Sequence, residues 1–277
     1  MTIDEIIAAA LNEDLGNGDH TSLSTIPASA IGRAKLLVKE EGILAGVDIA
    51  RKVFEQVDAQ VIFKPLLKDG DKIKVGDIVF TVEGSSISLL SAERLALNFL
   101  QRMSGIATAT YKITSLLSDL PVKLHDTRKT TPLLRELEKY SVRMGGGHNH
   151  RFGLFDMILI KDNHVDYAGG TVQAIRAAEA YLKQKQLDLK IEIEVRNFVE
   201  LKQVLDEGKV HRIMLDNFSP DQLRKALQLI DGRYETEASG GITLQNIRQY
   251  AETGVDFISV GALTHHIKSL DLSLKAY

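Results

Sequence analysis

Polar and charged residues recur in the second half of this chain at intervals typical of repeated strand–helix units. Each residue lies at or just after the end of a short aliphatic segment that is predicted to be a strand. The intervals are 33, 33, 22, 23 and 22 residues, and the residues are Arg128, Lys161, Glu194, Asp216, Ser239 and Gly261. Because the carboxyl ends of parallel strands open onto one face of an α/β barrel, we expect these residues to line one site.

The early strand ends and the turns beside them are cationic. They carry Arg128, Lys129, Arg151 and Lys161. A planar guanidinium binds a carboxylate or a phosphate through two parallel hydrogen bonds. The glycine run at 145–147 could also present backbone N–H groups to an anion, although such a run alone is as often a flexible turn. This part of the chain is therefore predicted to bind an anionic, carboxylated ligand.

The middle strand ends carry carboxylates and the last strand ends are rich in glycine, whereas the early ones are cationic. Glu194 and Asp216 can bind sugar hydroxyls or Mg²⁺, or stabilise positive charge on a ribosyl ring. Alternatively, Glu194 lies on the solvated face of an edge strand and Asp216 only caps a turn. The glycine-containing ends at 239–241 and 259–262 are typical of loops in which backbone N–H groups and a helix N-terminus bind phosphate. Together, these ends indicate a phosphorylated sugar.

Two histidines, His148 and His150, are close enough in sequence to suggest a metal pair. The chain contains no cysteine and offers no third ligand nearby, so a zinc site is not expected. A hydrogen bond to substrate and a purely structural role remain open for both histidines.

The elements that must position these residues follow an alternating pattern. The predicted strands are Val122–His125, Phe155–Ile160, Ile191–Val195, Arg212–Leu215, Thr236–Ala238 and Asp256–Val260. Capping patterns, such as Asn197 with Glu200 and Ser219 before Pro220, begin helices between the later strands. Repeated strand–helix units predict a parallel sheet, and several in a row favour an α/β barrel over residues 116–277.

Residues 1–115 have a different pattern, which predicts a helix and short antiparallel strands. A capping box of Thr2 and Glu5 begins the first helix, and the segment at 68–84 alternates between apolar and polar residues, as short antiparallel strands do. This segment resembles the barrel-sandwich modules that carry lipoyl or biotinyl groups, but it lacks their carrier lysine. A long helix from about Ser91 to Asp119, broken at Gly105, is expected to link the two regions.

The composition and charge of the chain argue against several classes of protein. The 277 residues carry 34 basic and 37 acidic side chains, which argues against a general nucleic-acid binder. The amino-terminal segment is acidic, and no window approaches 18 apolar residues, so neither a secretory signal nor a membrane helix is expected. A cytoplasmic location is the resulting expectation.

Several motifs occur together in a fixed order. They are EDLGNGDHTS at 13–22, ERLALN at 93–98, SGIAT at 104–108, TRKTTP at 127–132, HR at 150–151, IKDNH at 160–164, LDN at 215–217 and EASGGI at 237–242. With these motifs the chain resembles the quinolinate phosphoribosyltransferases, or nicotinate-nucleotide pyrophosphorylases, of the type II phosphoribosyltransferase family. The resemblance runs nearly from end to end. It implies an N-terminal α/β sandwich and an irregular, incompletely closed α/β barrel, with a C-terminal tail able to pack back on the N-terminal domain.

The resemblance also implies roles for individual residues, grouped by ligand. The quinolinate positions are Arg94 of a partner subunit, Arg128, His150, Arg151 and Lys161. The positions around phosphoribosyl pyrophosphate are Lys129, Thr130, Glu194 and Asp216, with Mg²⁺ near the last two. The phosphate loops match at Ser239, Gly240, Gly241 and Gly261.

The implied activity is transfer of a phosphoribosyl group to quinolinate with decarboxylation, as in the de novo synthesis of NAD. The family also implies a homodimer with shared sites, and a higher oligomer is compatible with it. Four alternatives stay open: a nicotinate phosphoribosyltransferase, a molybdenum-linked paralogue, a Schiff-base aldolase that uses Lys161, and a non-catalytic anion-binding or carrier protein. The dense set of arginines and lysines favours a dicarboxylate over nicotinate.

Overall fold

The computed structural model describes residues 1–277 and divides into two compact units. Unit 1 contains residues 1–112, 130–146 and 263–277, and unit 2 contains residues 113–129 and 147–262. The sequence predicted a single boundary between residues 115 and 116. The structure differs from it in three segments, since residues 113–115 belong to unit 2 and residues 130–146 and 263–277 belong to unit 1. No helix combines the length and apolar character that crossing a membrane requires.

The elements are numbered in chain order. The helices are α1 (Ile3–Leu15), α2 (His20–Thr25), α3 (Val47–Val57), α4 (Ser86–Leu116), α5 (Arg135–Met144), α6 (Asp162–Ala168), α7 (Thr171–Lys185), α8 (Phe198–Glu207), α9 (Pro220–Ile230), α10 (Ile247–Ala251) and α11 (Ala262–His265). The strands are β1 (Ile31–Val38), β2 (Gly42–Ile43), β3 (Ile62–Pro65), β4 (Lys72–Ile73), β5 (Ile78–Ser85), β6 (Lys123–His125), β7 (Ile158–Ile160), β8 (Ile191–Val195), β9 (Arg212–Asp216), β10 (Glu235–Ser239), β11 (Phe257–Ser259) and β12 (Leu272–Ala276).

Unit 1 is built on an antiparallel sheet with the strand order β12-β1-β5-β3. Strand β12 pairs with β1 along its whole length, from Ala34 opposite Ala276 to Val38 opposite Leu272. Helix α3 buries one apolar face, and Phe54 of that face contacts the ring of Phe80 edge-on. The predicted N-terminal α/β sandwich is confirmed.

Helix α4 is not broken at Gly105, so the predicted break is wrong. The helix continues through this residue and ends at Leu116. A Cβ atom at Gly105 would overlap the backbone carbonyl oxygen of Lys268, which lies against the helix. Glycine is therefore present for close backbone approach, and it does not end the helix.

Unit 2 is built on a parallel sheet of six strands in the order β6-β11-β10-β9-β8-β7. Strands β6 and β7 form its two edges and do not pair with each other, so the predicted α/β barrel is incompletely closed. Strand β7 is shorter than predicted. The Asp156 carboxylate accepts hydrogen bonds from the backbone N–H groups of Phe152 and Gly153 at 2.6 and 2.9 Å, which makes this segment a turn.

One face of this sheet carries most of the ionisable side chains. Glu192 and Glu194 share that face because alternate residues of a strand point to the same side. In register, Glu192 lies beside Arg212 on β9, and Arg212 lies beside Glu235 on β10. We call this side of the sheet the charged face. Strand β8 is buried along its length between β7 and β9, which rules out a solvated edge strand for Glu194.

We predict that Gly105→Ala destabilises the protein by about 1–3 kcal/mol, because the added methyl group must displace the backbone at Lys268. Helix propensity alone predicts the opposite sign, a gain of about 1 kcal/mol. Chemical unfolding of the variant measures the difference. Asn98→Ala at an exposed position of the same helix is the control and should be neutral or stabilising. A stabilised Gly105→Ala protein would contradict the close approach.

Candidate active site

The carboxyl ends of three neighbouring strands bring Lys161, Glu194 and Asp216 onto one edge of the sheet. Lys161 follows β7, and its Nζ lies 3.1 Å from Oε2 of Glu194 at the end of β8. Asp216 is the last residue of β9, and its Oδ1 accepts a 2.7 Å hydrogen bond from Oγ of Ser239, the last residue of β10. The spacing of these residues in the sequence therefore corresponds to a line of adjacent side chains.

The position of Glu194 among these groups shifts its pKa. Burial is the main reason why the pKa of Glu194 lies above its ordinary value. The Lys161 ammonium opposes this shift, and the Asp216 carboxylate adds to it. The two carboxylates are thus close enough to repel one another, and a cation bound between them would relieve that repulsion.

A pair of guanidinium groups, Arg128 and Arg151, lies in the same unit. Nε of Arg128 is buried and has no hydrogen-bond partner. Arg151 donates from Nη1 to the carbonyl oxygen of Met157 at 3.2 Å. Burial lowers the pKa of Arg151, and the positive charge of Arg128 lowers it further. A buried donor without a partner beside a second cation is an arrangement that an anionic ligand would satisfy.

The glycine-rich turn after β10 has a backbone that suits glycine. Gly240 and Gly241 have φ angles of 88° and 61°. A Cβ atom at Gly240 would overlap the Asn217 side chain, whereas a Cβ atom at Gly241 would meet nothing. Asn246 closes the turn by donating from Nδ2 to the carbonyl oxygen of Gly241 at 3.1 Å. The next helix, α10, begins only at Ile247, so its N-terminus does not directly follow the glycines as expected.

The remaining predicted residues divide between the two units. Lys129 and Gly261 belong to unit 2, and Gly261 directly precedes α11. Arg94 and Thr130 belong to unit 1. Arg94 is exposed on α4, and Oγ1 of Thr130 accepts a 3.0 Å hydrogen bond from Nε of Arg135.

The charged face also contains a group of buried ionisable residues, and of these only His150 is predicted as a site residue from the sequence. We call this group the buried charge network, and it consists of His125, His150, Glu192, Arg212 and Glu237. Nδ1 of His125 and Nη1 of Arg212 each lie 3.0 Å from Oε2 of Glu237. Nε2 of His150 lies 2.8 Å from Oε2 of Glu192 and 3.6 Å from Oε1 of Glu237. Both glutamates are fully buried.

The charges of this network shift one another's pKa values. Burial favours the neutral form of Glu237, but His125, His150 and Arg212 outweigh burial and hold its pKa below the ordinary value. Burial likewise opposes charge on His150, but Glu192 and Glu237 raise its pKa. Burial above all, together with repulsion from Glu237, raises the pKa of Glu192. The Glu237 carboxylate is therefore compensated by cations of the chain itself, whereas burial outweighs the cations around Glu192.

The group could also hold a metal ion. His125, His150 and Glu237 each offer one ligand atom, and these three atoms lie within 4.8 Å of one another. Two contacts argue against it. Nδ1 of His150 accepts a 2.7 Å hydrogen bond from the backbone N–H of Arg151, which leaves the ring proton on Nε2, the atom facing the glutamates. Arg212 already supplies positive charge at Glu237. These contacts favour a hydrogen-bonded, ion-paired network over a metal centre.

We predict that Gly240→Ala lowers stability by about 1–3 kcal/mol, because its methyl group would overlap the Asn217 side chain in addition to the backbone strain. Gly241→Ala is the matched control, since it carries a positive φ angle in open space and tests strain alone. Chemical unfolding of both variants measures the difference. Equal losses would show that the approach of Asn217 does not matter.

Comparisons with known proteins agree with this geometry. Residues 19–104 match the family model for the N-terminal domain of quinolinate phosphoribosyl transferase, and residues 106–275 match the model for its C-terminal domain. The chain is 46% identical to the chloroplastic nicotinate-nucleotide pyrophosphorylase [carboxylating] of Arabidopsis thaliana, over 98% of this chain and 81% of that protein. It is 43% identical to the probable nicotinate-nucleotide pyrophosphorylase [carboxylating] of Bacillus subtilis, over 95% and 89%.

Solved structures give the same result. The crystal structure of NadC from Streptococcus pyogenes superposes with a TM-score of 0.94 at 42% identity, covering 99% of this chain and 95% of that chain. Human nicotinic acid phosphoribosyltransferase has a TM-score of 0.65 at 13% identity, which shows a shared fold alone. With both domains matched and identities above 40%, the chain belongs to the quinolinate phosphoribosyltransferase family.

Proposed function

We propose that this protein transfers the phosphoribosyl group of phosphoribosyl pyrophosphate to quinolinate and decarboxylates the product. The products are nicotinate mononucleotide, pyrophosphate and CO₂. The observation that carries the proposal is the guanidinium pair, in which buried Nε of Arg128 lacks a hydrogen-bond partner beside the partly buried Arg151. A dicarboxylate supplies the acceptors and the negative charge that this pair needs.

In this proposal, Arg128 and Arg151 bind the carboxylates of quinolinate, and Lys161 adds a third positive charge. The bound pyridine ring would then present its nitrogen to C1 of the ribose. Alignment of two reactants in one site supplies a large part of such catalysis, because it replaces an encounter in solution by a step within one complex.

The phosphoribosyl donor would occupy the edge of the sheet formed by the later strands. Ser239, Gly240, Gly241 and Gly261 would surround its phosphates with backbone N–H groups, and Lys129 and Thr130 would contact the same substrate. Glu194 and Asp216 would stabilise positive charge that develops on the ribose as pyrophosphate leaves. Because this electrostatic effect needs fixed carboxylates, the 2.7 Å hydrogen bond from Ser239 to Asp216 supports the assignment.

The carboxylate oxygens of Glu194 and Asp216 are suitable ligands for a magnesium ion. Mg²⁺ prefers hard oxygen ligands, and the repulsion between Glu194 and Asp216 identifies two carboxylates that a cation would draw together. These two residues would hold the ion, and when bound it would neutralise the negative charge of the departing pyrophosphate.

Loss of CO₂ follows from the chemistry of the product. Once the ring nitrogen is alkylated, the carbon that bears the 2-carboxylate lies next to N⁺. Breaking its bond to the carboxylate leaves an electron pair that N⁺ stabilises, and a proton from water completes the product. For this step, a rigid hold on the pyridine ring therefore matters more than a catalytic acid or base.

We also propose a homodimer with shared sites, in which Arg94 reaches the site of the neighbouring subunit. Its exposure on α4 supports a role outside its own subunit. The cytoplasmic location stays a prediction, since the similar Arabidopsis thaliana protein is chloroplastic.

A paired assay tests the proposed function. Purified protein with Mg²⁺ and phosphoribosyl pyrophosphate receives quinolinate in one tube and nicotinate in the other, and both are analysed for nicotinate mononucleotide and CO₂. We expect product and CO₂ only with quinolinate. Product only with nicotinate would overturn the substrate, and no product from the folded protein in either tube would overturn the reaction.

We predict that Arg128→Ala weakens quinolinate binding by about 10- to 100-fold, which corresponds to the loss of one or two hydrogen bonds between charged groups. Affinity for phosphoribosyl pyrophosphate should be unchanged. Isothermal titration calorimetry with each substrate separates the two effects. Arg224→Ala, at an exposed ion pair with Asp221, is the control and should change neither affinity. Equal loss of both affinities in Arg128→Ala would contradict the assignment.

A further inference from the structure

The Asp216 carboxylate is oriented by two side chains, one on each of its oxygens. Oδ1 accepts a 2.7 Å hydrogen bond from Oγ of Ser239, and Oδ2 accepts a 2.5 Å hydrogen bond from Nδ2 of Asn217. A carboxylate offers about four lone-pair positions, so each oxygen keeps one for a ligand. The two hydrogen bonds therefore fix the direction in which the remaining lone pairs of Asp216 point.

We propose that Asn217 is a positioning residue, whose carboxamide fixes the Asp216 carboxylate and joins it to the glycine-rich turn after β10. The inference rests on the proposed function, because it concerns how the site for phosphoribosyl pyrophosphate and its Mg²⁺ is built. In that function Asp216 contacts the ribose or the ion, and Asn217 acts only through Asp216.

The backbone of Asn217 is held on both sides. Its N–H donates to the carbonyl oxygen of Ser239 at 2.9 Å, just beyond the last pair of β9 and β10. The next residue, Phe218, is buried, and the centre of its ring lies 5.4 Å from that of Phe198. Asn217 has a φ angle of 57°, a left-handed conformation that asparagine and glycine adopt more readily than most residues. The side chain therefore starts from a defined place at the strand end.

The Asn217 carboxamide also occupies the space beside Gly240 that a side chain there would need. A Cβ atom at Gly240 would overlap Oδ1 and Cγ of Asn217. The amide nitrogen thus faces Asp216, while the amide oxygen faces the turn that begins with Ser239 and Gly240. In the proposed function these two places hold the ribose and its phosphate. Since both are parts of one substrate, a small change in their separation would weaken binding.

A purely conformational role is the alternative for Asn217, because asparagine is favoured in left-handed turns even without a contact of its side chain. Asn217→Gly separates the two roles. Glycine keeps the left-handed backbone and removes the carboxamide, so a conformational role predicts no loss of binding. For the same reason we expect the variant to fold, which chemical unfolding verifies.

Isothermal titration calorimetry with phosphoribosyl pyrophosphate and Mg²⁺ measures the effect without turnover. We expect Asn217→Gly to weaken this binding by about tenfold, the effect of one lost hydrogen bond to a charged group. The Kd for quinolinate should be unchanged. Gln186→Gly, at an exposed residue with a φ angle of 53° at the end of α7, is the matched control and should change neither Kd.

A double-mutant cycle with Asp216→Asn tests whether Asn217 acts through its neighbour. If it does, adding Asn217→Gly to Asp216→Asn should change the Kd for phosphoribosyl pyrophosphate by less than about twofold, because the carboxylate that Asn217 orients is already absent. The same tenfold loss in both backgrounds would overturn the proposal and make Asn217 a direct ligand of the substrate.

Two further results would overturn the inference. Unchanged binding of phosphoribosyl pyrophosphate in Asn217→Gly would show that the carboxamide is not needed, and an equal loss for quinolinate would show a general structural role. Failure of the proposed function gives a different result. An unaltered protein that does not bind phosphoribosyl pyrophosphate would refute that function and this inference with it, whereas the results above refute the inference alone.

Discussion

Arg212 supplies the positive charge on which the arrangement of unit 2 depends. Burial of Glu192 and Glu237 without a cation would be prohibitive, and breaking a buried pair of this kind typically costs about 3–5 kcal/mol. The guanidinium contacts Glu237 and Glu235 at 3.0 Å and stacks on Phe257, so one side chain compensates charge and joins neighbouring strands. Its position on the charged face lets the strands present further ionisable groups at their carboxyl ends.

The charged face therefore has two levels with different electrostatic roles. The buried level contains the network around Glu237, in which the chain's own cations compensate the Glu237 carboxylate. The level at the strand ends contains groups whose charges are less completely balanced, such as Nε of Arg128 and the repelling carboxylates of Glu194 and Asp216. The rigid buried level supports the residues at the strand ends. Support of this kind keeps binding residues in place before the ligand binds.

Much of this organisation could be predicted from the sequence, and the failures have physical causes. Alternation in β8 and polar residues at strand ends are local patterns, so the barrel and the line through Lys161, Glu194 and Asp216 could be read without a structure. The contact between Arg212 and Glu237 depends on the register of two separate strands, which no local pattern fixes. Gly105 resembled a helix break because the backbone that requires it, at Lys268, is distant in the sequence.

The pairing of β12 with β1 has a consequence for how the protein is made. The strand that lies beside β1 is synthesised only after every strand of unit 2. During translation, β1 thus has an exposed edge with unpaired N–H and C=O groups, which is a site for association with other chains. Unit 1 can complete its sheet only when residues 272–276 have left the ribosome, whereas all the strands of unit 2 are available earlier.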